Sequence, residues 1–67
     1  MDKMDKPRKY YTLVVKRNGV WYPQFGDYDK EVVSDEQYDC YDTEVSKIIC
    51  THDDQFSIDG RVKELNK

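Results

Sequence analysis

Tyr10-Tyr11-Thr12-Leu13-Val14-Val15-Lys16-Arg17-Asn18-Gly19-Val20-Trp21-Tyr22-Pro23-Gln24-Phe25 reads as two strands and a reversal. Both flanks are β-branched and aromatic, side chains that suit a pleated, half-buried surface. Asn18 and Gly19 tolerate positive φ and turn the chain back. A two-residue Asn18-Gly19 loop would set Lys16 opposite Trp21 and Leu13 opposite Gln24. A three-residue loop, closed by Gly19 in a left-handed bulge, sets Lys16 opposite Val20 instead. Val15 then faces Trp21, Leu13 faces Pro23 and Tyr11 faces Phe25, three apolar pairs on one side of the hairpin. The bulged turn is therefore the expected one. The other side would carry Tyr10, Thr12, Val14, Lys16, Val20, Tyr22 and Gln24, partly in water. Pro23 cannot donate a ladder hydrogen bond, so the second strand is expected at a sheet edge.

Downstream, Gly26-Asp27 ends the hairpin, and Asp27 or Asp29 can cap a helix over roughly 29–42. Val33, Gln37, Cys40 and Tyr41 fall on its inner side, with Val32 at the margin. Glu31, Asp35, Tyr38, Asp39 and Asp42 follow helical spacing on the outer side. Val45-Ser46-Lys47-Ile48-Ile49-Cys50-Thr51 is a third, β-branched strand. Thr51-His52-Asp53-Asp54 supplies caps for a last helix, whose Ile58, Val62 and Leu65 form a buried stripe at i, i+4 and i+7. Gly60 weakens its centre by ~1 kcal/mol relative to Ala. Phe56 lies nearly opposite that stripe.

The order β-β-α-β-α, with a right-handed crossover between the second and third strands, makes those two parallel. With the first strand between them, every neighbour is antiparallel and the sheet order is 2-1-3. The expected fold is a two-layer α+β sandwich with both helices on one face. Residues 1–9 are polar and without period and read as a disordered tail; 10–67 read as one small domain.

Composition narrows the function. The chain has 67 residues and net charge −3. No apolar run is long enough to span a bilayer, and Met1-Asp2-Lys3-Met4-Asp5-Lys6 lacks the hydrophobic stretch of a secretory leader. A domain this small buries only ~60% of its unfolded surface, which leaves little core for a deep catalytic cleft. Residues 26–44 hold eight acids against Lys30 alone. Such a balance argues against general nucleic-acid affinity, which rests on cations neutralising phosphates.

Cys40, Cys50 and His52 match no closed zinc pattern and are expected as free side chains, so no metal or other cofactor is implied. His52 beside Asp53 lacks a nucleophile motif, and three isolated glycines make no phosphate loop. Enzyme activity is not expected. Tyr10 and Tyr22 on one sheet face could stack bases, yet too few cations surround them.

The run Trp21-Tyr22-Pro23-Gln24-Phe25-Gly26-Asp27-Tyr28-Asp29-Lys30-Glu31-Val32-Val33, preceded by Tyr10-Tyr11-Thr12-Leu13-Val14-Val15, resembles small uncharacterised proteins encoded by tailed bacteriophages and prophages. The likeness continues through Asp53-Asp54-Gln55, Ser57-Ile58-Asp59 and Leu65-Asn66. It implies a bacterial cytoplasm and an accessory role outside the virion, and it carries no catalytic residue across. The expected function is a non-enzymatic protein–protein interaction module. Its candidate contact residues are Glu31, Asp35, Tyr38, Asp39 and Asp42, and its partner a host or phage protein with a basic surface. The alternative is a DNA mimic that occupies a nucleic-acid-binding protein, or a weak RNA or DNA binder.

Overall fold

A computed structural model describes residues 8–67. The elements are β1 (Lys9–Arg17), β2 (Val20–Asp27), α1 (Lys30–Cys40), β3 (Ser46–His52) and α2 (Gln55–Leu65). They form one three-stranded antiparallel sheet in the order β2-β1-β3, so the class, the element order and the edge position of the Pro23 strand are as expected. Of the tail expected over 1–9, residues 1–7 lie outside the described residues; Lys9 pairs with His52 at the start of β1.

The hairpin register departs from the expected one. Arg17 pairs with Val20 and Lys16 with Trp21, so the loop is the two-residue Asn18-Gly19. Both residues are left-handed, with φ of 53° and 80°. That turn twists in the same sense as the strands, which an ordinary type I turn does not. The pairing then slips by one residue between Val14↔Pro23 and Leu13↔Phe25, leaving Gln24 as the extra residue of a bulge on β2. The bulge falls beside Pro23, whose missing N–H lies on the free edge of the strand, and it brings Phe25 level with Leu13.

Burial corrects the layer arrangement. Leu13, Val14 and Val15 are consecutive and all have 0% exposure, and Thr12 has 4%. Side chains alternate across a strand, so both faces of β1 are covered. Helix α1 lies on the Leu13/Val15 face: Gln37 donates to the Ser46 hydroxyl at 2.9 Å, and Ser46 is the partner of Val15. Helix α2 lies on the Thr12/Val14 face, where Phe56, Gly60 and Val62 border a groove with Pro23, the partner of Val14. The sheet is the middle of three layers, and the helices do not share a face. An unbroken Leu-Val-Val run is the pattern of a strand buried on both sides.

Each helix starts at an aspartate. Asp29 accepts from the Glu31 N–H at 2.9 Å and is itself fixed by its own N–H donating to Asp27. Asp54 accepts from the Ser57 N–H and hydroxyl at 2.9 and 2.8 Å. Such caps satisfy amides that the first helical turn leaves without partners. Val33 is the buried anchor of α1, whereas Ile58, Val62 and Leu65 of α2 are each half-buried. Phe56 stands in solvent at 90% exposure. Among the described residues, no helix is long and apolar enough to cross a membrane.

Candidate protein-interaction site

Because Val33 and Gln37 turn toward the sheet, the opposite side of α1 is presented to solvent. Glu31, Asp35, Tyr38, Asp39 and Asp42 are all exposed. Tyr38 is 76% exposed and Val32 40%, so a large aromatic ring and an aliphatic side chain stand among carboxylates. Glu31 and Asp39 are separated by eight residues, ~12 Å along the axis.

Two expectations about this helix change. It ends at Cys40, capped at Tyr41, whose N–H donates to the Gln37 carbonyl at 3.1 Å. Asp42 therefore sits in the following turn and is not the fourth step of a helical stripe. Cys40 is exposed rather than core-facing. The thiol's hydrogen bond to the Glu36 carboxylate, with burial and that carboxylate's charge behind it, raises its pKa.

The structure adds residues that the helical pattern leaves out. A shallow cleft of about 250 Å³ opens beyond the end of α1, bordered by Tyr38, Tyr41, Asp42 and Glu44. Tyr38 and Asp42 meet there, while Glu31 lies at the far end of the helix. One wall is held by Arg17 at the hairpin tip, whose Nε and Nη2 donate to the two Glu44 oxygens at 2.9 and 3.2 Å. This bidentate pair ties the 41–45 turn to the sheet, and the hydrogen bond holds the Glu44 carboxyl below its ordinary pKa. Residues 17 and 44 are 27 apart in sequence, so no local pattern pairs them.

Comparison of the chain with protein-family models, curated proteins and solved structures finds no match in any of the three.

The tyrosine face imagined for base stacking does not assemble. Tyr10 shares the Thr12/Val14 face, whereas Tyr22 pairs with Val15 on the other. Tyr10 instead meets Tyr28 edge-on at 5.0 Å, with the Arg8 guanidinium 4.3 Å from the Tyr28 ring. The Tyr28 hydroxyl donates to Asp53 at 2.9 Å, a bond that raises its pKa. Lys16 and Lys47 both lie over Trp21, at 5.7 and 4.9 Å. Their charge is thus on the face opposite α1. Among the described residues, no three His, Cys, Asp or Glu side chains converge as metal ligands.

Proposed function

We propose that this chain is a non-enzymatic interaction module that binds a basic protein surface through the outer side of α1. The observation that carries this reading is Tyr38 at 76% exposure between exposed Asp35 and Asp39. Folding does not bury that ring. Exposed aromatics at the centre of a polar surface are favoured anchors in protein interfaces, and surrounding like charges speed encounter with an opposite patch. The repulsion among Glu31, Asp35 and Asp39 at i, i+4 steps costs a few tenths of a kcal/mol per pair. A cationic partner would relieve it. The resemblance to small phage-encoded proteins supports a bacterial cytoplasm as the setting, with a host or phage protein as the partner.

The test is capture of partners from lysate by the wild type and by Asp35→Lys/Asp39→Lys. The variant is expected to keep the circular dichroism spectrum of the wild type and a melting temperature equal or slightly higher. It loses the captured protein, and wild-type capture weakens as salt rises. Equal capture by both forms removes the acidic face from the function.

A further inference from the structure

The two edges of the sheet are finished differently. On β2, Arg17↔Val20 is the hydrogen-bonded pair next to the turn, so the backbone groups of Trp21 point away from β1. Asn66 takes both: its Oδ1 accepts from the Trp21 N–H at 2.7 Å and its Nδ2 donates to the Trp21 carbonyl at 3.0 Å. Pro23 then removes a donor and the Gln24 bulge interrupts the line. Clamp, proline and bulge are devices that keep a strand from being extended.

β3 has none of them. The Lys16 N–H donates to the Val45 carbonyl at 2.8 Å, which sets the phase of this pairing. Lys47, Ile49 and Thr51 bond to β1, and Ser46, Ile48, Cys50 and His52 turn their backbone groups outward. Among the described residues, only the His52 carbonyl of that set has a partner, the Thr51 hydroxyl. Lysines guard many exposed edges, but the Lys47 ammonium is drawn back over Trp21.

We infer that β3 pairs antiparallel with β3 of a second copy, joining two sheets into one of six strands. A pairing centred on Ile49 uses the whole of Ser46–His52. It sets Ile48 opposite Cys50, each giving and taking an N–H···O bond, and Ile49 opposite its own copy. Lys47 falls opposite Thr51 and Ser46 opposite His52, so no two lysines face each other across the joint. The interface is isologous and closes at two copies, as a strand edge used once must. It leaves the outer side of α1 free and does not depend on the proposed function.

The test is the mass of the full chain under reducing conditions, with amide exchange read residue by residue. The expected result is a species of twice 8.0 kDa. Its Ile48 and Cys50 amides are protected, and that protection is lost on dilution. Cys50→Pro removes an outward N–H without touching the β1 ladder, so it is expected as a folded monomer. Should that variant fail to fold, the wild-type amides still decide. A monomer, or a dimer whose Ile48 and Cys50 amides exchange freely while Ile49 and Thr51 stay protected, overturns the inference.

Discussion

The side-chain amide of Asn66 occupies both backbone groups of Trp21, 45 residues away, and so closes one edge of the sheet. An amide carries a donor and an acceptor in the arrangement of a peptide group, so it stands where a fourth strand would begin. Asn66→Ala is expected to lose about 1–2 kcal/mol, the net worth of two partly exposed hydrogen bonds. Asn66→Asp keeps the acceptor alone and should fall between. Urea unfolding measures both, and faster exchange of the Trp21 amide locates the effect.

Gly26 is required by Tyr10. A Cβ at position 26 would lie 2.5 Å from the Tyr10 hydroxyl oxygen and 2.7 Å from its ring. Gly26→Ala must displace that ring from its edge contact with Tyr28 and should destabilise by ~1–3 kcal/mol. The cost is expected to shrink when Tyr10→Ala is already present. Additive losses in the double-mutant cycle would show that the two residues do not collide.

The corrected register changes which side chain matters most. Leu13 is fully buried beneath α1, so Leu13→Ala should cost about 2–5 kcal/mol and leave the domain largely unfolded. Trp21 is only half-buried beneath two lysines, and Trp21→Ala should cost less, about 1–2 kcal/mol. Thermal unfolding of the two variants orders them.

Thr12 buries its hydroxyl without a hydrogen-bond partner among the described residues. Thr12→Val keeps the shape and removes the unpaired polar atom. It should raise stability by ~1 kcal/mol, read as a higher melting temperature. A loss would mean that the hydroxyl is paired in solution.

Acid should weaken the fold through two carboxyl groups. Glu44 is held below its ordinary pKa by the hydrogen bond and charge of Arg17, and Asp54 by its bonds from Ser57. A carboxyl depressed in the folded state contributes stability that is present above its unfolded pKa and lost as pH falls through the folded one. Stability should therefore decline from roughly pH 4 downward. Arg17→Gln should flatten that decline through Glu44 only, and Asp54→Asn through the α2 cap only, in melts recorded across pH.

Local chemistry made much of this molecule legible in one dimension. Asn18-Gly19 marks the reversal, Pro23 an edge, and Asp29 and Asp54 the helix starts, because each acts within a few residues along the chain. The placement of Glu31, Asp35, Tyr38 and Asp39 on the outer side of α1 follows from the same short-range periodicity. Other features depended on tertiary packing. The strand pattern accommodates either turn, and the twist of the paired strands with the bulge beside Pro23 selected one. Helical spacing puts Cys40 on the inner side of α1, yet it faces water, because the helix ends there against the 41–45 turn. The side taken by α2 was carried by Leu13-Val14-Val15, whose two-sided burial needs a helix on each face. The Asn66 clamp and the Arg17–Glu44 pair join residues far apart in sequence, so chain folding alone brings those partners within hydrogen-bond reach.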